Sequence, residues 1–224
     1  MTTTHNTDPL EVTERTRLRR SHERGYFDRA TINDILDATP LCHVGYQLDS
    51  QPQVTPTLHW REGDRIYWHG SSASRALRAS LDTPVCLTVT QLDGFVLARS
   101  AFHHSVNFRS VMIYGTPEAT TDPAAKMEKF KNLIEHLYPG RWDSLRPALD
   151  KEVKATAVLS MPITEASAKV RTGMPNDDAP DYDLPIWAGV IPVTQGLGAP
   201  QPDPRNLDGI AQPDGLDDVL GLRG

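Results

Sequence analysis

The run His69-Gly70-Ser71-Ser72-Ala73-Ser74-Arg75 carries the densest chemistry in the chain. It follows an alternating apolar stretch and opens a short helix, so Gly70–Ser80 reads as a loop feeding that helix. Backbone N–H groups at such a start favour an anion. Ser71, Ser72 and Ser74 add hydroxyl donors. Arg75 adds a planar, two-pronged donor suited to phosphate. Gly70 lets the backbone come close to a partner. A serine cap beside a surface arginine is the other reading, and both stay open here. The Gly-Lys-Ser/Thr ending of a Walker A loop is absent.

A second candidate is Gln53-Val54-Thr55-Pro56-Thr57-Leu58. A proline inside a strand removes a ladder donor, so Pro56 implies an edge or a bulge. Neighbouring N–H and C=O groups are then free to meet a flat heteroaromatic ring. A plain edge strand is the alternative. His103 and His104 are adjacent, and on extended chain adjacent side chains point to opposite faces. With His43, His59 and His69 scattered, no metal-ligand spacing emerges and no metal is expected. Cys42 and Cys86 sit in apolar strands as small buried residues. Trp187 is read either as packing or as part of a ring-binding wall.

These segments need strands to hold them. Leu41–Leu48 alternates, with Cys42, Val44, Tyr46 and Leu48 on one face. Gln53–Arg61 is a second strand, Glu62-Gly63-Asp64 a tight turn, and Arg65–His69 a third strand. Pro84–Gln91 is rich in β-branched residues. Leu92-Asp93-Gly94 is a hairpin signal that returns the chain over Phe95–Ser100. Ser105–Gly115 and Thr156–Met161 are further strands. Two helices interrupt them. Thr31 is read as the cap of the first, with Ile32, Ile35 and Leu36 on its apolar side and Pro40 ending it. Asp122 caps the second, Pro123 takes its first position, and Met127, Phe130, Ile134 and Leu137 form its stripe. Short strands at about 8–12-residue spacing with inserted helices argue for a mainly β barrel or sandwich.

The chain has 224 residues and a formal net charge of −6. That is enough for one domain with a sizeable core. Residues 176–224 hold nine acids and two bases, so the acidity belongs to the C-terminal stretch and the remainder is close to neutral. Nonspecific binding to nucleic acid or an anionic membrane is disfavoured. No apolar run approaches the ~18–20 residues of a membrane span. Met1–Pro9 is polar, so no secretory signal is expected, and the expected compartment is the cytoplasm. Two cysteines exclude a disulfide-dense scaffold. The expected organisation is a polar extension over 1–24, a folded domain over 25–195, and an acidic Gly/Pro-rich tail over 196–224.

Four stretches carry a resemblance: CHVGYQLD, PTLHWREGDRIYWHGSSASR, VCLTVTQLDGFVLARSAFHHSVNFRSV and EASAKVRTG. In this order they resemble the pyridoxamine-5′-phosphate-oxidase-like flavin-binding proteins, in the branch that includes nitroimidazole-resistance proteins. The resemblance runs from Arg24-Gly25-Tyr26 to about Gly189. It implies an FMN-binding split β-barrel of Greek-key type, mainly β with inserted helices, forming a homodimer with flavin sites at the interface. It implies backbone contacts to FMN from Val54, Thr55, Pro56 and Thr57. It places His69, Gly70, Ser71, Ser74 and Arg75 at the phosphate, with Ser72 among them. Arg109-Ser110-Val111 is similar to the oxidases' Arg-Gln-Val, with Ser110 in place of the flavin-touching Gln. Trp187-Ala188-Gly189 is similar to a late Trp-x-Gly. The oxidases' Arg-Lys at the phosphate is Arg75-Ala76 here.

The function so implied is a flavin-dependent oxidoreductase of unidentified substrate, possible chemistries including nitro reduction. His69 is the one catalytic candidate, as a proton donor near neutral pH. The alternative is a flavin or haem carrier without turnover, with His103 or His104 as the haem ligand. A working pyridoxamine-phosphate oxidase is not expected. That substrate is a dianion needing its own cations, and Gln53–Trp60 contains no Lys or Arg.

Overall fold

Period-two alternation builds most of the frame. The computed structural model describes residues 8–213 and residue 219. Residues 1–7 of the expected extension, and 214–218 and 220–224 of the expected tail, lie outside the described residues. The strands are β1 (Gly25–Tyr26), β2 (Leu41–Leu48), β3 (Gln51–Glu62), β4 (Arg65–Ser71), β5 (Val85–Leu97), β6 (Ser105–Gly115), β7 (Glu118–Ala119), β8 (Thr156–Pro162), β9 (Glu165–Arg171) and β10 (Gly189–Pro192). The helices are α1 (Arg29–Asp37), α2 (Arg75–Ser80), α3 (Pro123–Leu137) and α4 (Asp150–Ala155). The strand order is β1-β9-β6-β5-β2-β3-β4-β8-β7, with β10 pairing β5. Every pairing is antiparallel.

β3 is the hinge of this arrangement. Its first half, Gln51–Leu58, pairs only with β2. Its second half, His59–Glu62, pairs with β4. One face of the sheet closes over the main core, where Ile32, Ile35 and Leu36 of α1 meet Val44, Trp68, Leu87, Val111 and Met161. Each such side chain is worth about 1.5–3 kcal/mol of burial. Around β4 and β8 the opposite face is covered too. There α3 lays Leu133 and Leu137 on Trp60, Tyr67 and Val158, with Phe130 beside them.

Two expectations are corrected. The cap of α1 is Asp28, whose carboxylate accepts from the Thr31 N–H, so the helix begins at Arg29. Aspartate is a stronger N-cap than threonine and captures the first turn. The Asp93-Gly94 signal is a β-bulge and not a hairpin. β5 runs through it, and its pairing with β6 shifts register between Leu92 and Gly94. Arg109 on β6 donates from Nε and Nη2 to the Asp93 carboxylate, at 3.0 and 2.9 Å. That holds the extra residue out of the ladder. Gly94 is needed there: a Cβ would lie 3.0 Å from the Ile191 carbonyl oxygen. The chain then turns at Ala101–His103 into β6.

The N-terminal segment is anchored. Leu10 is buried and donates its N–H to the Phe27 carbonyl at 2.8 Å. The Thr13 hydroxyl donates to Glu165 at 2.6 Å, and Arg15 reaches the same carboxylate at 2.7 Å.

Candidate functional site

A cavity of about 170 Å³ opens between β2, β3 and α2, walled by Tyr46, Thr55, Thr57, Trp68 and Ser74. The free half of β3 forms one side. The His59 N–H donates to the Pro40 carbonyl at 2.8 Å, on the β2 side. Backbone direction alternates along a strand, so the groups of Val54, Pro56 and Leu58 turn to the unpaired edge. Pro56 therefore costs no ladder bond, which is why it is tolerated.

The loop after β4 is more self-contained than its serines imply. The Ser72 N–H donates to the Ala155 carbonyl at 2.8 Å, and the Ser74 N–H to the Ser71 carbonyl at 2.9 Å. The Ala73 N–H donates to the Ser71 hydroxyl at 3.2 Å. These three N–H groups, expected to be free for an anion, are taken by Ala155 and by the turn itself. Ser74 caps α2 by accepting from the Leu77 N–H. What remains for a phosphate is the hydroxyls' own protons, the first N–H groups of α2 at Arg75 and Ala76, and the Arg75 guanidinium. Arg75 is exposed and has no side-chain partner among the described residues. Arg78, one turn on, is tied to the Ala73 carbonyl. Gly70 serves packing, since a Cβ would lie 2.8 Å from Leu77 Cδ1 and push α2 away.

His69 borders this cavity through its backbone, but its ring points elsewhere. Trp68 belongs to the main core, and alternation turns His69 to the opposite face of β4. There the imidazole meets the edge of Phe130 with ring centres 5.3 Å apart. Trp60 lies 6.2 Å away on its other side. The His69 Nδ1 is buried with no hydrogen-bond partner. Burial pushes the His69 pKa below its ordinary value, because no charge is present to stabilise the imidazolium. The expected role of proton donor at the first cavity is thus corrected: the ring faces away from it.

Phe130 also lines a second cavity, of about 820 Å³. Met127, Trp142, Leu145, Pro147 and Val153 make its wall mostly apolar. Arg146 and Glu152 stand at its side, paired at 2.5 Å. Nothing in the sequence reading anticipated this cavity. Its walls come from α3, α4 and the segment between them, whose apolar residues are too scattered to show a period.

Other expected residues lie apart. Ser110 is on β6, separated from β3 by β5 and β2, and its hydroxyl donates to the Lys169 carbonyl. Trp187 is 67% exposed and lies over Gly189, where a Cβ would come within 2.8 Å of the ring. That contact gives the Trp-x-Gly spacing a packing cause. His103 faces Asp177 and Asp178 at 3.8 and 3.9 Å. His104 is exposed, with Nδ1 at 2.9 Å from the Ser100 carbonyl. Neither borders the two cavities described. Among the described residues no three His, Cys, Asp or Glu side chains converge on a possible metal position. No helix of the described residues is long and apolar enough to cross a membrane.

Ser110 belongs to a broad outward face. Every second residue of β2 (41–47), β3 (52–58), β5 (86–92) and β6 (108–114) points there, and none is Asp, Glu, Lys or Arg. Leu41, Val54, Leu58, Leu92 and Met112 are exposed on it.

A barrel-like antiparallel sheet with a helix-fed loop beside a free strand edge defines a flavin-binding type of scaffold, the split β-barrel. Residues 28–170 match the family model described as pyridoxamine 5′-phosphate oxidase, and the chain belongs to that family. The flavocytochrome Anf3 from Azotobacter vinelandii is 51% identical, with a TM-score of 0.90, over 92% of this chain and 97% of that one. The FAD and heme binding protein from Mycobacterium smegmatis is 35% identical, with a TM-score of 0.83, over 88% and 98%. A candidate 5-nitroimidazole antibiotic resistance protein from Bacteroides thetaiotaomicron shares the fold at 22% identity and a TM-score of 0.55, over 65% and 86%. A comparison with curated proteins gives no match.

Proposed function

We propose that this protein is a flavocytochrome-type oxidoreductase that holds a flavin and a haem on opposite faces of β4. The observation that carries this reading is His69. Its Nδ1 is buried and unpartnered, and its ring packs against Phe130, which lines an apolar cavity of cofactor size. Its backbone borders the cavity beside the free edge of β3. A neutral imidazole is a common haem ligand, and a depressed pKa keeps it neutral. Two similar proteins, one a flavocytochrome and one an FAD and heme binding protein, support the pairing. Cys42 and Cys86 form no Cys-x-x-Cys-His attachment motif, so the haem is held without a covalent link.

The residues divide the work. The edge groups of Val54, Pro56 and Leu58 meet the flavin ring. Arg75 and the hydroxyls of Ser71, Ser72 and Ser74 meet its phosphate. His69 holds the iron, Phe130 fixes the imidazole plane, and the apolar wall from Met127 to Val153 excludes water. When bound, the flavin exchanges electron pairs and the haem single electrons. FMN is the sequence expectation, but the relative at 35% identity binds FAD, and we favour FAD.

The assembly we propose is a homodimer through the uncharged outward face. Charge depletion and exposed Leu and Met are what an interface core requires. That packing would bring Ser110 towards the partner's flavin.

The test is the absorption spectrum of the purified protein, with the mass of the released flavin. A Soret band together with flavin bands is expected. His69→Ala should lose the Soret band and keep the flavin. A Soret band retained in that variant refutes the ligand assignment. Haem that is not reduced after the flavin is reduced refutes the oxidoreductase reading in favour of a carrier.

A further inference from the structure

A basic cluster on β9 lacks a counter-charge. Strand register sets Lys169 opposite Ser110 and Arg171 opposite Phe108. Residues directly opposite share a face, so both cations stand on the border of the uncharged surface. Arg24 adjoins them, because the next residue, Gly25, pairs with Lys169. Arg171 is 9% exposed, and Nη1 donates to Asn107 Oδ1. The Asn107 amide is fixed in turn by donating from Nδ2 to the Gly173 carbonyl at 3.1 Å. No carboxylate pairs with Arg171 or Lys169 among the described residues. Burial and the neighbouring Arg24 charge both push the Arg171 pKa down. The acid beside Arg24 is Glu23, at 3.5 Å and 60% exposed, a surface contact that offsets little.

We propose that Arg24, Lys169 and Arg171 form a binding site for a nucleoside diphosphate group, separate from the loop at Arg75. A buried guanidinium balanced only by a neutral amide is costly, and an anion from outside the chain removes that cost. Three cations against one exposed acid suit a group carrying about two negative charges better than a single carboxylate. Guanidinium forks meet phosphate oxygens in pairs. Phe108 and Leu92 lie in register beside Arg171 and offer the base an apolar surface. A merely structural Arg171 would be paired with an acid, as Arg99 is with Asp177 and Arg109 with Asp93.

β9 lies four strand places from the free edge of β3, about 19 Å along the sheet at ~4.8 Å per strand. The diphosphate therefore belongs to a molecule other than a flavin lying on this chain's own β3. Two sources carry it: FAD held by a second copy of the chain, or a soluble nicotinamide dinucleotide acting as electron donor. Both contain an adenosine diphosphate group, which FMN lacks. The FAD source rests on the flavin and homodimer readings above, whereas the site itself rests on the three cations.

The experiment titrates ADP calorimetrically into the full-length protein, flavin-loaded and flavin-free, beside fluorescence titrations with FAD and FMN. Lys169→Gln and Arg171→Gln are compared with the wild type. Lys169→Gln alters a side chain at the sheet surface and carries the test where Arg171→Gln folds poorly. If the group is the second copy's FAD, both variants bind FAD about tenfold more weakly and FMN as before, and ADP binds only the flavin-free wild type. If it is a soluble donor, ADP and NADH bind the flavin-loaded wild type about tenfold more tightly than the variants, and FAD affinity is unchanged. ADP binding equal in wild type and variants, or absent from flavin-loaded and flavin-free protein alike, overturns the site. A wild type that takes up neither flavin overturns the flavin reading, and ADP binding to it still decides the site.

Discussion

His59 should make the fold acid-sensitive in a way one substitution can remove. The residue is 1% exposed, and its Nε2–H donates to the Leu36 carbonyl at 3.0 Å, tying the end of α1 to β3. Burial lowers its pKa from 6.5 to about 4. In the unfolded chain the imidazole takes a proton as pH falls through its ordinary value. In the folded chain it stays neutral until about pH 4. The unfolded state thus binds more protons across this window, and stability falls as pH drops. A shift of this size at about 1.4 kcal/mol per unit gives a loss of about 3 kcal/mol between pH 7 and pH 4. His59→Gln keeps an N–H for the Leu36 carbonyl and cannot titrate. Urea unfolding followed by tryptophan fluorescence at several pH values measures both proteins. The variant should start less stable at pH 7 by about 1–3 kcal/mol and lose about 3 kcal/mol less on acidification. Parallel pH profiles would refute the reasoning.

Arg75→Ala should weaken flavin binding about tenfold, or ~1.5 kcal/mol, the low end for a charge-assisted contact because the site is exposed and screened by salt. Fluorescence titration at two salt concentrations checks this, with Arg78→Ala, whose guanidinium is tied to the Ala73 carbonyl, as the unaffected control. Met112→Lys puts a charge on the β6 border of the uncharged face, and sedimentation should show a dimer in the wild type and monomers in the variant. Pyridoxamine phosphate should not be turned over under air, because Gln53–Trp60 offers no cation for its phosphate. Pyridoxal phosphate production at an oxidase's rate would refute that statement.

Much of this was legible from local pattern. β2 and β6 match their sequence reading end to end because each alternates cleanly between a buried and an outward face. α3 was legible from Asp122, Pro123 and its apolar stripe. β9 was not read as a strand, because Ala166, Ser167 and Ala168 are small and carry little β signal, although both alanines are fully buried. The bulge at Asp93-Gly94 was illegible because its cause, Arg109, lies on another strand. The anion loop was legible in composition only: its N–H groups are taken by Ala155 and by the loop itself, which no spacing rule reveals. The direction of the His69 ring followed from the strand period and was available in the sequence. Its surroundings were not, because Phe130, against which the ring packs, and the cavity Phe130 lines are built from α3, α4 and the segment between them, about 50–90 positions further along.

The sharing of β4 has a consequence for rates. Backbone at Gly70 borders one cavity, while the side chain of the preceding residue projects to the other face. In the proposed holoprotein the gap between the two redox groups is then set by the thickness of a single strand. Covalent geometry fixes it, so no docking step or lid closure enters the transfer. Electron exchange between the groups should be unimolecular, indifferent to protein concentration and solvent viscosity. Loop insertions elsewhere could change which molecules deliver or collect electrons while leaving that internal step untouched.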